Sequence, residues 1–336
     1  MTGIELPFEH RMAAHCETGT VTALLNHSGM QLTEPLVFGI AGGIFFGYLK
    51  SADLPFPMFI LRSRPGDIRK KISKRLGIKF KEQTFRSPEA GQAALDEALR
   101  QGHPTAVQVD FFYMDYMPEW QRVHINAHYI VVFGMNGSSY SVSDSYYKQR
   151  SQLDRNRLLT ARFAGGMMAP KGNMFYPVHI PENPDYARAI NIGIRKACFN
   201  MLRLPIPFLG VKGIRKFAEK VVEWPKLARD MEDLSDRVMK INVFLEDQGT
   251  GGGGFRYMYA TFLQQAAGIV KDDRLNAMSK QMMEIGDKWR NISYFAAKIG
   301  KNRDLGPDRM KELSGMIYAQ ADEEQKFFSE LYRLVK

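Results

Sequence analysis

Three side chains have the types that thiol chemistry needs: a cysteine at 16, a histidine at 128 and an aspartate at 144. A cysteine nucleophile requires a base within hydrogen-bond reach and a third group that orients the base. Cys16 lies in His15-Cys16-Glu17-Thr18-Gly19-Thr20, and Val21, Leu24 and Leu25 follow at helical spacing before Gly29. The spacing predicts a helix that begins near Cys16, buries one face and stops at Gly29. A thiol in the first turn of a helix meets unpaired backbone N–H groups and the positive end of the helix dipole, and both favour thiolate. Taken alone, the same thiol reads as a small buried apolar residue, the commonest fate of a free cysteine. The residues downstream reverse that order.

His128 opens the apolar strand Ala127-His128-Tyr129-Ile130-Val131-Val132-Phe133-Gly134, where a strand end can present a base at a cleft. The other histidines fit less well. His15 adjoins Cys16 and points elsewhere on a helix, His27 is near a helix end, His103 and His124 sit in turns, and His179 lies in a linker. Asp144 ends the second arm of a strand pair, Ser138-Ser139-Tyr140-Ser141-Val142-Ser143-Asp144. A two-residue Asn136-Gly137 turn would set Asp144 opposite Tyr129, on the wrong side from His128. A three-residue loop Met135-Asn136-Gly137, with Gly137 left-handed, would set Gly134 opposite Ser138 and His128 opposite Asp144. The three-residue loop is the expectation.

Elements that must position these residues are legible around them. Glycines within Leu36-Val37-Phe38-Gly39-Ile40-Ala41-Gly42-Gly43-Ile44-Phe45-Phe46 imply close packing or the wall of an acyl pocket. A strand over 56–61, a basic helix over 65–77 with Ile68, Ile72 and Leu76 on its buried stripe, and a strand near 78–80 follow. Ser87 and Pro88 start a helix that stops at Gly102, and a strand runs from Thr105 to Phe111. Gly165-Gly166, Pro177, Pro181 and Pro184 mark a domain boundary. Beyond it strand signals vanish, and helices are expected over 185–203, 211–222, 225–246, 255–270, 272–299 and 307–335. The expected class is α+β: a domain over 1–182 with an antiparallel sheet, then an all-helical domain over 183–336.

With 336 residues and 45% hydrophobic content the chain can bury a sizeable core. Its two cysteines form neither a disulfide framework nor a zinc ligand set, and Cys198 reads as a helical core residue. Together with an N-terminus that lacks a secretory pattern, this points to the cytoplasm. The longest apolar run, 35–49, is too short to span a bilayer. A net charge of +10 favours an acidic partner, while no nucleic-acid-binding signature is present; Arg69-Lys70-Lys71 with Lys74-Arg75 reads as a solvated helix face.

Cys16, His128 and Asp144, in that order, resemble a papain-like thiol enzyme. With His15-Cys16-Glu17, Gly39 to Gly47, Val107-Gln108-Val109-Asp110 and Val142-Ser143-Asp144, the chain resembles the family of butirosin biosynthesis protein H, related in architecture to double-glycine leader peptidases. Gly249-Thr250-Gly251-Gly252-Gly253-Gly254-Phe255-Arg256, with Tyr257, Tyr259, Phe262 and Leu263, is similar to the uncharacterised helical domain usually joined to it. The resemblance implies a papain-like acyltransferase of secondary-metabolite biosynthesis with no bound cofactor. Cys16 would attack a thioester on the phosphopantetheine arm of an acidic acyl carrier protein, His128 would shuttle the proton, and Asp144 would hold the imidazole. The acyl group would pass to a small-molecule amine or hydroxyl. Papain-like relatives place a glutamine before the cysteine as an oxyanion donor; here His10 is the candidate, beside the backbone N–H of Cys16.

The glycine run 249–254 lacks the Lys-Ser/Thr of a phosphate-binding loop. It reads as a tight loop that lets the next helix dock on the first domain, or as a cradle for a phosphopantetheine phosphate. Arg256, Gly252 and Tyr129 are candidates to line a substrate entrance. Two further readings use the same residues: a cysteine peptidase or amidase, and a non-catalytic binding protein in which Cys16 and His128 lie apart.

Overall fold

A computed structural model describes residues 3–50 and 56–335, so Met1 and Thr2 of the N-terminal stretch fall outside it. In chain order the elements are β1 (Ile4–Glu5), α1 (Cys16–His27), α2 (Glu34–Ile40), β2 (Ile44–Leu49), β3 (Met58–Arg62), α3 (Asp67–Leu76), β4 (Lys79–Gln83), α4 (Pro88–Arg100), β5 (Thr105–Val109), β6 (His128–Met135), β7 (Ser139–Ser143), β8 (Ser151–Asp154), α5 (Arg155–Arg162) and β9 (Met174–His179). Helices then dominate: α6 (Tyr186–Leu202), α7 (Gly210–Val221), α8 (Trp224–Leu227), α9 (Met231–Asn242), α10 (Arg256–Val270), α11 (Arg274–Lys301) and α12 (Pro307–Leu334). The helix expected over 225–246 is interrupted after Leu227 and closes in a π turn at Val243–Asp247. The class is α+β, with an antiparallel sheet in the N-terminal part.

Two compact units emerge. The first comprises Met1–Val37 and Pro65–Pro184; the second comprises Phe38–Arg64 and Asp185–Lys336. The later divide falls beside the expected 182/183 boundary. Residues 38–64, expected in the first domain, group instead with the helices.

In the first unit the sheet runs β4-β9-β5-β6-β7-β8, with β1 also paired to β6. Side chains alternate across each strand, so Val107, Val109, Ile130, Val132, Tyr140 and Val142 join Leu95, Leu99 and Leu158 of α4 and α5 in one core. Helix α1 is buried nearly all round, with Val21, Leu24 and Leu25 inside. Each such side chain contributes about 1.5–3 kcal/mol relative to exposure. The buried polar residues of α1 are satisfied: Glu17 accepts from Ile68 N–H at 3.1 Å and Thr20 Oγ1 donates to Tyr129 O at 3.1 Å. Ser87 caps α4 as the sequence implies, accepting from Ala90 N–H. The basic helix α3 departs from a simple solvated face, because Arg69 is buried, paired with Glu82 and stacked on Phe175.

The β6–β7 hairpin differs from both turns considered from sequence. Met135 faces Tyr140, and Asn136 N–H donates to Ser139 O, so Gly137-Ser138 forms the turn. Gly137 has φ +87°, the left-handed first position that glycine suits. The Asn136 carboxamide accepts from Ser139 N–H and Oγ, which draws Asn136 out of the turn centre. The register then shifts: Gly134 faces Ser141, yet Val132 faces Val142 and Val131 faces Ser143. A one-residue bulge at Phe133 therefore reverses which side chains share a face.

The second unit packs the β2–β3 hairpin with its helices around Phe46, Tyr48, Phe59, Phe217, Trp224 and Trp289. The glycine run serves packing inside this unit. Gly249 and Gly251 through Gly254 all have positive φ, and Phe255, also left-handed, stacks on Phe38 at 5.0 Å. Arg256 corrects the sequence expectation. It is fully buried, bonds Glu324 through Nε and a terminal nitrogen at 2.9 Å each, and donates to Gly254 O at 2.6 Å. Replacing it by methionine strands the Glu324 carboxylate in the core. Arg256→Met is expected to lose about 3–5 kcal/mol in urea unfolding; a loss below about 1 kcal/mol would show that the pair does not hold this unit together.

Candidate active site

Cys16 is the first residue of α1, and the chain leading to it is fixed on three sides. The His15 ring caps the helix: Nδ1 accepts from Thr18 N–H at 3.3 Å and lies 2.6 Å from Thr18 Oγ1. Glu34 takes the two amides before the cysteine, Ala14 N–H at 2.9 Å and His15 N–H at 2.8 Å. Burial raises the Glu34 carboxyl, and those two amides only partly oppose the rise. Ala13 N–H donates to Ser145 O at 2.9 Å, tying the same approach to the segment after β7. Cys16 as a residue is partly exposed, and its sulfur lies 3.7 Å from Ala127 O.

His128 begins β6, opposite Val109, and is buried under the edge of the Phe111 ring at 4.8 Å. Its Nε2 is 2.7 Å from Asp144 Oδ2. Ala127, the residue before it, brings its carbonyl to 3.7 Å from the Cys16 sulfur, so the ring stands at the strand end nearest that sulfur. Burial alone would lower the His128 pKa. The Asp144 carboxylate, and after it the Cys16 sulfur, outweigh burial and raise it to about 10.

Asp144 follows β7. With Val132 facing Val142, continuing the ladder sets Asp144 opposite Ile130, one step diagonal from His128 and on the same face. The two residues therefore meet through the bulge, not through the direct cross-strand pairing expected from sequence. Burial would raise the Asp144 carboxyl. His128, the Tyr146 N–H at 2.9 Å and the Tyr116 hydroxyl at 2.9 Å overcome that and hold it below the usual range.

Tyr116 is a site residue that sequence reading missed. It sits in the aromatic stretch Phe111-Phe112-Tyr113-Met114-Asp115-Tyr116, and nothing in its spacing ties it to Asp144. Burial and the Asp144 charge push its hydroxyl well above the usual tyrosine range, so it remains a donor. His10 lies on the other face of β7: its Nδ1 is 2.8 Å from Ser143 Oγ, and its buried Nε2 has no partner among the described residues. The entrance candidates are corrected. Tyr129 is 2% exposed, with its hydroxyl 3.3 Å from Gln108 Oε1. Gly252 is buried in the second unit, where a Cβ would come within 2.6 Å of the Arg290 guanidinium. Arg256 is sealed by Glu324. Cys198 is buried, and burial pushes its thiol up to about 12, in keeping with a core residue.

A cysteine leads a helix beside an antiparallel sheet that carries a buried histidine–aspartate pair, the arrangement of side chains that a papain-like site uses. The chain belongs to the family described as "Domain of unknown function (DUF4872)", whose model matches residues 156–331. Residues 15–145, which hold the whole Cys16–His128–Asp144 set, match the family model "Butirosin biosynthesis protein H, N-terminal". Among solved structures, the chain is similar to one described as a C39-like peptidase from Bacillus anthracis, with 14% identity, a TM-score of 0.35, and coverage of 54% of this chain and 100% of that one. A comparison with curated proteins returns no match.

Folding raises the His128 pKa above its ordinary 6.5, so protonation of this ring stabilises the folded state fully below about pH 6.5, and the contribution is lost as pH rises through about 10. Urea unfolding of the wild type should therefore show stability falling across that window. In Asp144→Asn, which removes the charged partner, the fall should be much smaller; an identical fall in both proteins would exclude His128 as its source. Tyr116→Phe removes one of the donors to Asp144 while keeping the ring. A stability loss of about 1 kcal/mol is expected, along with slower labelling of Cys16 by iodoacetamide; unchanged labelling would show that Tyr116 does not act through the triad.

Proposed function

We propose that this chain is a cysteine-dependent acyltransferase that takes an acyl group from a phosphopantetheine thioester on an acyl carrier protein and passes it to an amine or hydroxyl acceptor. The observation that carries the reading is a buried His128 ring whose Nε2 lies 2.7 Å from Asp144 Oδ2, at the strand end where Ala127 O comes within 3.7 Å of the Cys16 sulfur. A base oriented by a carboxylate, near a sulfur at a helix N-terminus, is the arrangement that a cysteine nucleophile needs.

The Cys16 thiolate attacks the thioester carbonyl, whose electron pair moves onto oxygen. Collapse expels the pantetheine thiolate, which takes the His128 proton, and acyl-Cys16 remains. An acceptor amine then attacks the acyl carbon and gives one proton to neutral His128. A second collapse expels the Cys16 thiolate and restores the starting pair. Asp144 stays ionised and holds the imidazole throughout. The N–H of Cys16 has no intrahelical acceptor at the first helical position and is the first oxyanion donor. His10 Nε2, buried without a partner among the described residues while Nδ1 is held near Ser143, supports its assignment as the second. The +10 charge is compatible with an acidic carrier.

Hydrolysis by the same residues, as in a peptidase or amidase, is the second reading; partial exposure of Cys16 leaves water a path to an acyl-enzyme.

Intact-protein mass spectrometry with acyl-pantetheine thioesters tests the proposal. A mass gain equal to the acyl group is expected in the wild type and not in Cys16→Ala. His128→Ala should slow acylation about 10²–10⁴-fold. Adding a primary amine should yield the amide at the expense of the adduct. Release only as free acid would favour hydrolysis, and no adduct and no thioester loss across the panel would overturn the transfer reading.

A further inference from the structure

We propose that the loop over 165–172, together with Val123 and Ile125, forms an apolar receptor for the hydrocarbon part of the group carried by Cys16. The proposal rests on the nucleophilic reading of Cys16 and adds a substrate class to it: groups with an aliphatic tail.

Three observations converge. First, the loop is tied to the segment that touches the nucleophile. Asn126 Nδ2 donates to Gly165 O at 2.9 Å and to Met167 O at 3.0 Å. Gln108 Nε2 donates to Asn126 O at 2.6 Å and to Met168 O at 3.0 Å. Asn126 immediately precedes Ala127, whose carbonyl lies 3.7 Å from Cys16 Sγ. The loop is thus tied to the residue that precedes the sulfur's own contact.

Second, the loop presents two methionines, with Lys171 as the one charged residue along it. Met167 is 68% exposed and Met168 50%, with Val123 at 49% and Ile125 at 40% on the clamped segment. Single exposed apolar residues are ordinary on a protein surface, but four of them on two hydrogen-bonded segments, one leading to the residue that contacts the sulfur, are a candidate binding region. Charged neighbours on that segment are engaged elsewhere: Arg122 with Asp115 at 2.8 Å and His124 with Asp110 at 2.7 Å. Unbranched methionines suit a receptor that must fit a flexible chain, since they repack at little cost.

Third, the loop is kept in an unfavourable conformation. Met168 has φ +57° and Lys171 φ +51°, both left-handed and neither glycine. Such residues persist only where surrounding bonds over-determine them. Here those bonds are the Gln108 and Asn126 clamps, the Arg162 guanidinium on Gly172 O at 3.0 Å, and Phe85 N–H on Lys171 O at 2.9 Å.

The test uses the full-length protein and two alkylating agents that differ only in their tail, iodoacetamide and N-hexyl iodoacetamide, with Cys16 labelling followed by intact mass and Cys16→Ala as control. In the wild type the hexyl reagent should label about tenfold faster than iodoacetamide after correction for their rates with a free thiol, the effect of burying roughly two methylene groups. In the double variant Met167→Gln and Met168→Gln, which keeps side-chain length and lies on the surface, the advantage should vanish while the iodoacetamide rate stays as in wild type. No hexyl advantage in wild type, or the same advantage in the variant, would overturn the receptor and leave the nucleophile standing. Failure of iodoacetamide to label Cys16 would overturn the nucleophile reading and the receptor with it.

Discussion

The candidate site depends on a change of parity in one strand. Side chains alternate along β6, so an unbroken pairing from the Gly137-Ser138 turn would set Asp144 against Val131, with its carboxylate on the face away from His128. The bulge at Phe133 inserts one residue between Val132 and Gly134 and reverses the alternation. Its effect is visible in the core: Met135 and Val132, an odd number of residues apart, pack against the same cluster. Downstream of the bulge Val142 faces Val132, and Asp144 falls on the His128 side. The buried imidazole–carboxylate contact of 2.7 Å follows from that single insertion.

Burial then sets the electrostatics. A carboxylate and an imidazolium both lose solvation inside a protein, and neither stays charged there without partners. Asp144 gains three donors, from His128, Tyr116 and the backbone of Tyr146, and the carboxyl is held low despite burial. His128 gains the Asp144 carboxylate, with a smaller contribution from the Cys16 sulfur, and its pKa rises despite burial. Cys16 is the partly exposed member of the set. Glu34 and the His15 cap fix the path of the chain into that position, so the nucleophile is set by backbone bonds as well as by packing.

Much of this was legible in the sequence. Helical spacing of Val21, Leu24 and Leu25 located α1 and put Cys16 in its first turn, and amphipathic periodicity located the helices after residue 185. The pairing of His128 with Asp144 was anticipated, but through the wrong register. Asn136-Gly137 is a strong turn signal, and nothing local reveals that the Asn136 side chain caps Ser139 and moves the turn on by one residue. A bulge leaves little trace in sequence because it depends on pairing between strands. Residues 38–64 carry strand-like and glycine-rich patterns that fit either unit, and only tertiary contacts assign them to the helical one. Arg256 looked like an entrance residue because glycines precede it, while its partner Glu324 lies 68 residues away, beyond the reach of any local pattern. Tyr116 was invisible for the same reason.

The most direct measurement is ¹⁵N NMR of histidine-labelled protein, following the His128 ring nitrogens from acid to alkaline pH in the wild type and in Cys16→Ala. The expected result is an imidazolium with both nitrogens protonated at neutral pH in the wild type, losing its proton only well above neutrality, with a lower midpoint once the sulfur is removed. A ring already neutral at pH 7, titrating near the ordinary 6.5 and indifferent to Cys16, would contradict the coupled thiol–imidazole–carboxylate site.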